Sequence, residues 1–284
     1  MATVLVSVLL VLLIGRGLPE LVRLRDFSWW RHWLDQAVQS SPISALAFGV
    51  GVPVLLCVLV QWGLHGTLFG LTSFLFAAFV LYYCWGPRDL ERDVDAIAKA
   101  PDSERRLAAA QALRDDGRNA ELPFEDEALV AATFSAALKR WFGVLFWFVV
   151  LGPAGALLYR LTQLLACIPE HAGAQTQRAA AILDWLPAHF MVLALALASN
   201  FDAVFKTWRD WHAAHKGYFE LDPGFLDAIA RASVDADVAA DGHAQDQENH
   251  SPLVALDDAM VLVRRVLVVW LTVIALIVLA GWFG

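Results

Sequence analysis

Charged side chains are scarce in this chain, and several kinds of functional motif are missing from it. Asp, Glu, Lys and Arg together make up 18% of the residues, against roughly 25% in soluble domains. The formal net charge of -8 gives no overall basic field for nucleic acid. The chain has no G-x-x-x-x-G-K-[ST] phosphate loop and no G-x-S-x-G nucleophile elbow. These absences argue against nucleic-acid partners and against the common soluble nucleotide-binding and hydrolase classes.

Metal-binding patterns are equally sparse. The three cysteines, at positions 57, 84 and 167, form no C-x-x-C pair, and an odd count indicates neither a disulfide framework nor a zinc site. His212 and His215 are three residues apart, a spacing that metal ligands also use, but no carboxylate accompanies them at that spacing. An aromatic helix at the membrane interface is the simpler interpretation. We therefore expect no metal and no cofactor.

What the chain has in abundance is long apolar runs. Hydrophobic residues make up 58% of it, and five runs are almost free of charge: 43–61, 68–85, 142–161, 182–205 and 266–283. Crossing a hydrocarbon core as an α-helix takes about 20 apolar residues, and the runs lack the alternation of barrel strands. The sequence predicts an all-α, polytopic helical bundle in a lipid bilayer, with five spans, or six if the short stretch 2–14 also crosses.

Lys and Arg are concentrated in alternate loops. Segments 16–42, 86–141 and 206–265 are basic, whereas 62–67 and 162–181 carry one basic residue between them. The positive-inside bias places the basic segments in the cytoplasm. The predicted location is the bacterial inner (plasma) membrane, with several passes.

Two cytoplasmic appendages are expected on this membrane domain, which takes in all of 1–284. Segment 86–141 shows three amphipathic helical patterns, with a break and a cap at Pro101 and Asp102-Ser103, and is predicted to be a helical insertion. Segment 206–265 is predicted to be a loop with a short helix at 224–232 and a disordered acidic part at 233–251, where large apolar residues are few.

One run is interrupted. Gly152 and Pro153 lie at the centre of 142–161, followed by Gly155, and a proline removes a helix hydrogen bond and clashes with the preceding turn. A kinked span is the favoured interpretation. The alternative is a re-entrant pair of half-helices, which would move 162–181 to the cytoplasmic side.

Ionisable residues at the ends of membrane helices are candidates for function, because they are costly there. Tyr159 and Arg160 end the broken run, and Asp184 begins the next one in the phrase Ile182–His189. A loop of about 20 residues between two helices allows Arg160 and Asp184 to pair, and pairing would favour both charged states. A structural pair and a ligand or catalytic site both remain open.

The phrases GPAGALLYRL and AILDWLPAHF resemble the AmpE family, inner-membrane proteins linked to β-lactamase induction. The aromatic and basic segment 27–34, the order of the apolar runs and the total length extend this resemblance over most of the chain. AmpE is in turn similar to the CbiB/CobD family, membrane enzymes that form the amide of adenosylcobinamide. That family has the phrases P-G-A-x-x-Y-R and D-x-x-N-x-x-P-A-R-L. The matching residues here are Pro153, Gly155, Tyr159, Arg160, Asp184, Pro187 and Ala188, while His189 replaces the second Arg and the Asn is missing.

The resemblance implies a regulatory or signalling membrane protein that modulates β-lactamase induction or the response to cell-wall stress and antibiotics. Segment 86–141 would offer the surface for a protein partner, and a cell-wall fragment would be the ligand. The alternatives are an amide-forming synthase of the cobinamide type and a transporter of a cell-wall-derived solute. The candidate functional residues are Tyr159, Arg160, Asp184, Pro187 and His189, with a helix break at Gly152, Pro153 and Gly155. A non-enzymatic role is favoured, because the expected topology puts the candidate residues outside and few basic groups lie near them in sequence.

Overall fold

The regular structure of the chain is helical throughout the residues that can be described. The computed structural model describes 5–11, 25–37, 44–64, 70–86, 89–114, 122–214, 221, 224–240 and 251–280. The helices are α1 (5–11), α2 (Ser28–Ala37), α3 (Val52–Gly63), α4 (Leu71–Cys84), α5 (Leu90–Ala98), α6 (Ser103–Gln111), α7 (Asp126–Ala137), α8 (Gly143–Leu151), α9 (Pro153–Ala166), α10 (Ala174–Ala198), α11 (Phe201–Ala214), α12 (Gly224–Ala240) and α13 (Pro252–Leu279). Two π-helical stretches, Ala45–Gly51 and Leu138–Phe142, lead into α3 and α8. The predicted all-α class is confirmed.

Within the described residues, four helical stretches are long and apolar enough to cross a membrane, judged by length and composition. They are Ala45–Gly63, Asp126–Leu151, Ala174–Ala198 and Pro252–Leu279, and the apolar helix Leu71–Cys84 is shorter. Many of their large apolar side chains are exposed, as helices surrounded by lipid require. The chain is therefore a multi-pass membrane protein, and the predicted number of five or six spans stays a prediction. Of the stretch 2–14, only the helix at 5–11 falls within the described residues.

The chain divides into two compact units. The first comprises Met1–Pro87, Lys139–Leu183 and Ile274–Gly284, and the second comprises Arg88–Leu138 and Asp184–Val273. The predicted arrangement of one membrane domain with cytoplasmic appendages stays a prediction.

The first unit is built around α9. This helix contacts α8, α4, α3 and the π-helical stretch before α3, and most of its residues are buried. An apolar cluster joins it to α2, made of Phe27, Trp30, Leu34, Ala45, Val50, Leu161 and Leu165. Trp30 also donates its indole N–H to the Gly49 carbonyl at 2.7 Å. The aromatic residues of 27–34 thus tie a short amphipathic helix onto the helices around α9.

The second unit contains the helices of the predicted insertion. α5, α6 and α7 form where three amphipathic patterns were expected, and the Asp102 carboxylate caps α6 by accepting from the Arg105 backbone N–H at 2.7 Å. Such a cap stabilises a helix start because the first N–H groups have no partner within the helix. α12 packs against α11 and α7.

The acidic segment differs from its prediction. α12 extends to Ala240, which takes it into the segment 233–251 that was expected to be disordered. Val234 is buried on this extension, and the carboxylate of Asp237 accepts from Ser199 at 2.8 Å and pairs with Arg265 at 2.8 Å. Tertiary contacts of this kind outweigh an acidic composition. Residues 241–250, like Asp222-Pro223, lie outside the described residues.

Candidate functional site

The helix break predicted at Gly152 and Pro153 is a reversal of the chain. Gly152 has φ 71° and ψ -155°, a conformation that a glycine adopts at little cost because it has no Cβ. Its N–H donates to the Phe148 carbonyl at 2.9 Å and so ends α8, while Pro153 begins α9. A proline suits the first position of a helix, where its missing N–H would have no partner anyway.

α8 and α9 lie side by side as an antiparallel helical hairpin. A side-chain carbon placed on Gly143 would overlap the ring of Tyr159, and one placed on Gly155 would overlap the Trp147 carbonyl oxygen. In one continuous helix, residues 143 and 159 would be about 24 Å apart. The favoured interpretation of a kinked span is therefore wrong. The run forms two antiparallel half-helices, because a glycine with positive φ precedes the proline and two further glycines allow close approach.

Three arginines are buried in the first unit: Arg25, Arg140 and Arg160, which are 4%, 0% and 3% exposed. We call them the arginine cluster. The Arg25 guanidinium donates to the Gly86 carbonyl at 3.2 Å and lies 4.3 Å from the centroid of the Tyr82 ring. Cation–π contact of this kind stabilises a buried guanidinium.

The same short segment connects the other two members of the cluster. The Gly86 N–H donates to the backbone carbonyl of Arg140 at 3.4 Å, and Trp85 and Trp141 stack with ring centroids 6.5 Å apart. Arg160 is close enough to Cys84 to interact with it electrostatically. The hairpin brings α9 back beside the start of α8, so the segment at the end of α4 lies near all three residues, meeting Arg140 at its backbone carbonyl.

Carboxylates and arginines differ in burial within the first unit. Among its described residues, the carboxylates of Asp26, Asp35 and Glu170 are exposed, whereas Arg25, Arg140 and Arg160 are buried. Guanidiniums bind carboxylate and phosphate oxygens through paired N–H donors. The arginine cluster is therefore chemically suited to an anionic ligand.

Pro187 has a specific structural role. It lies inside α10, and because a proline has no N–H, the carbonyl of Leu183 loses its usual helix partner. The indole N–H of Trp147 donates to that carbonyl at 3.0 Å. This hydrogen bond joins α8 to α10 at the residue just before Asp184.

The structure groups the predicted candidate residues in two sets. Tyr159 and Arg160 belong to the first unit, together with the helix break. Asp184, Pro187 and His189 belong to the second unit, where Asp184 is buried and His189 is half-buried. The predicted coupling of Arg160 with Asp184 stays a prediction.

Sequence reasoning missed Arg25 and Arg140 as site residues. It used Lys139-Arg140 only for the membrane orientation and the helix dipole, and Arg25 only as one basic residue among four. The available signal was position, because Arg25 lies two residues before an aromatic segment and Arg140 directly before an apolar run. The sequence also suggested a pair of His212 with His215, but His215 lies outside the described residues. In the structure, the ring of His212 lies next to that of His189.

Comparisons with known proteins give two curated relatives, while no family model and no solved structure matches. The chain is 28% identical over 147 residues to "Cobalamin biosynthesis protein CobD" of Stutzerimonas stutzeri, covering 46% of each chain. It is 31% identical over 161 residues to the protein of the same name from Chromobacterium violaceum, covering 51% of this chain and 49% of the relative. The chain thus spans about half the length of the curated relatives it matches. These relatives support the CbiB/CobD part of the resemblance and give no support to its AmpE part. Over about half of its length, then, this chain is similar to proteins named for cobalamin biosynthesis.

Proposed function

We propose that the chain is an amide-forming synthase of the bacterial inner membrane, acting on a cobalamin precursor. The observation that carries this proposal is the arginine cluster beside the α8–α9 hairpin. The names of the two relatives supply the substrate class. This reverses the preference for a β-lactamase regulator, which neither of these two relatives supports.

Amide formation from a carboxylate requires handling of several negative charges. In an ATP-dependent synthase the carboxylate attacks a phosphate, ADP leaves, and an amine then displaces the phosphate from the acyl group. The carboxylate and the phosphates are anions, and the transferred phosphoryl group develops charge that cationic donors stabilise. Arg25, Arg140 and Arg160 provide buried guanidiniums for this purpose.

The hairpin also removes an objection to the synthase. A kinked span would have put Arg160 on the outer face, away from ATP. In the hairpin, Tyr159 packs against Gly143, so Arg160 returns to the end of the hairpin from which Arg140 enters. Because Arg25 and Arg140 come from segments with cytoplasmic charge bias, we infer that the cluster is open to the cytoplasm.

The remaining candidate residues belong to both units. In the first unit, Tyr159 packs against Gly143 next to Arg160 and so shapes the cluster. Functional roles for Asp184, Pro187 and His189 of the second unit stay predictions from the resemblance.

The proposal is tested by thermal unfolding of the purified protein in detergent, with and without ATP-Mg²⁺. A ligand at 100 times its dissociation constant stabilises by about 2.7 kcal/mol, so a clear upward shift is expected. Arg160→Gln should abolish the shift and Arg160→Lys should retain part of it, because the lysine keeps the charge but loses the paired donors. Arg209→Gln, at an exposed position on α11, is the matched control. Mass spectrometry of a corrinoid acid incubated with ATP and an amine should detect the amide.

An absence of nucleotide binding, together with an altered β-lactam response in a gene deletion that leaves corrinoid synthesis intact, would return the regulator to first place. That role, with its cell-wall-fragment ligand and a partner at 86–141, stays a prediction from the resemblance, as does the transporter.

A further inference from the structure

One side of α4 carries a row of exposed apolar residues. Leu71, Leu75 and Phe79 follow one another at intervals of four residues, and each is more than half exposed. Residues four apart lie one above the other on the same face of a helix. A continuous exposed apolar surface marks a site of contact with a membrane or a protein. Because α4 is an apolar helix of a multi-pass membrane protein, this row faces the hydrocarbon of the bilayer.

The row ends at a hydrogen-bonded aromatic pair. Its next position is Tyr83, whose ring stacks on that of Phe79 with centroids 6.2 Å apart. The indole N–H of Trp29, a residue that is 52% exposed, donates to the Tyr83 hydroxyl at 2.6 Å, and this hydroxyl donates to the backbone carbonyl of Asp26. Both polar groups thus have partners within the protein although they lie at its surface, as a position with little water requires. Tryptophan and tyrosine are enriched where the hydrocarbon meets the headgroups.

The helix that supplies Trp29 lies across one end of α3 and α4. Near the start of α4, Ser73 donates to the carbonyl of the residue that follows α3 at 2.9 Å, so these two ends lie together. α2 contacts the opposite ends. Its Trp29 is bonded to Tyr83, near the end of α4, and its Trp30 is bonded to Gly49, in the π-helical stretch before α3. A helix that bridges the ends of helices embedded in a bilayer lies along the bilayer surface.

The side chains of α2 fall on three sides. Trp30 and Leu34 are buried in the apolar cluster of the first unit. Trp29 and Trp33, four residues apart, form an aromatic side next to them. The third side is exposed and polar, and it consists of Ser28, Arg31, His32, Asp35 and Gln36. A helix with an aromatic side and a charged or polar side is typical of the membrane interface.

We propose that α2 is an interfacial helix, with Trp29 and Trp33 in the lipid headgroup layer and its polar side in water. Lipid, rather than a second copy of the chain or another protein, is the partner because the aromatic side continues the lipid-facing row of α4. The boundary between membrane and water then crosses the first unit at Tyr83. This position of α2 does not depend on the proposed synthase activity.

The boundary also sets the depth of the arginine cluster. Arg25 donates to the carbonyl of Gly86, three residues beyond Tyr83, so the cluster lies at the level of the headgroups. Anions dissolved in water reach a site at this level without entering the hydrocarbon. The first unit would therefore present its buried guanidiniums at the membrane surface.

The test is electron paramagnetic resonance of spin labels on single cysteines, in full-length chains held in phosphatidylcholine nanodiscs with the native cysteines replaced by alanine. Each label's exposure is measured to oxygen, which concentrates in the hydrocarbon, and to a water-soluble nickel chelate. We expect the ratio of oxygen exposure to nickel exposure to fall from Phe79→Cys through Trp29→Cys to His32→Cys. Leu75→Cys, one turn before Phe79 on the same row, is the control for the hydrocarbon and should give a ratio at least as high as Phe79→Cys. Trp29 and His32 lie three residues apart on one helix, so a difference between them reports its two sides.

Several results would overturn the proposal. Equally low ratios at positions 29 and 32 would put the whole of α2 in water, and a ratio at 32 as high as that at 79 would put it in the hydrocarbon. A label at 29 that neither reagent reaches would assign the aromatic side to a protein neighbour.

Fluorine NMR of 5-fluorotryptophan measures the same depth in the chain with its native cysteines, so the test stands even where a labelled variant folds poorly. The Trp29 signal, identified by its loss in Trp29→Phe, should broaden more with a nitroxide on the lipid headgroup than with one at the end of the acyl chain. The reverse order would refute the interfacial position.

Discussion

The two units use arginine in opposite ways. In the first unit, Arg25, Arg140 and Arg160 are buried. In the second, Arg231, Arg264 and Arg265 pair with Glu127, Glu91 and Asp237 at 2.6, 3.0 and 2.8 Å, and these arginine side chains are 40–53% exposed. Exposed pairs contribute little to stability, typically about 0–1 kcal/mol, whereas a buried charge is costly unless its surroundings compensate it. The arginines of the first unit therefore depend far more on their exact surroundings than those of the second.

The close packing around the hairpin should make the first unit sensitive to added volume. Gly143→Leu would force a side chain into the ring of Tyr159. Overpacking costs typically 1–3 kcal/mol, so we expect a loss of about 3 kcal/mol in unfolding free energy. The control is Gly63→Leu, since nothing lies within 4 Å of a side-chain carbon at that position. The measurement is thermal unfolding in detergent. Equal melting temperatures for both variants would contradict the antiparallel packing of α8 and α9.

A smaller effect is expected at the hydrogen bond between Trp147 and the Leu183 carbonyl. Trp147→Phe leaves a part-buried acceptor without its donor, and the loss of such a hydrogen bond costs about 0.5–1.5 kcal/mol. In the Pro187→Ala background, residue 187 regains an N–H that can satisfy the same carbonyl, so the cost of Trp147→Phe should shrink. A double-mutant cycle on unfolding free energies measures the coupling. Strictly additive effects would show that the proline and the tryptophan do not share this acceptor.

The smallest effect concerns an exposed pair of the second unit. The hydrogen bond from Lys99 at 2.6 Å and the Lys99 charge lower the pKa of Asp95 below its ordinary value. A carboxyl whose pKa is lowered in the folded state adds stability above its unfolded pKa of about 4 and loses it as the pH falls through the folded pKa. Asp95→Asn should therefore lower the melting temperature slightly at pH 6 and leave it unchanged at pH 2. A large decrease in melting temperature at pH 6 would show that this exposed pair contributes to stability as strongly as a buried one.

The sequence revealed the helices more fully than their direction. Apolar runs, the Asp102 cap and the Gly152-Pro153 break were visible because they depend on local patterns. The reversal at Gly152 was not, since a glycine and a proline are equally consistent with a kink. Whether the chain bends or reverses at Gly152 depends on Gly143 and Gly155, which allow α8 and α9 to pack against each other.

The arginine cluster shows a second limit of the sequence. Arg25 lies more than a hundred residues before Arg140 and Arg160, and an arginine next to an apolar run is more often at the interface than buried. Their burial follows from the packing of the end of α4 against the hairpin, which no single segment encodes. The pairing of His189 with His212 was missed for the same reason, because it requires the antiparallel arrangement of α10 and α11.

The proline in α10 has a consequence for the evolution of this chain. A helix with a proline has one carbonyl that must find a donor elsewhere, and here the donor comes from position 147. Positions 147 and 187 should therefore change together in evolution, although they lie on different helices. In homologues that lack the proline, position 147 should be free to take residues without an N–H donor. A sequence that keeps the proline but loses the donor should show a new donor at another position facing residue 183.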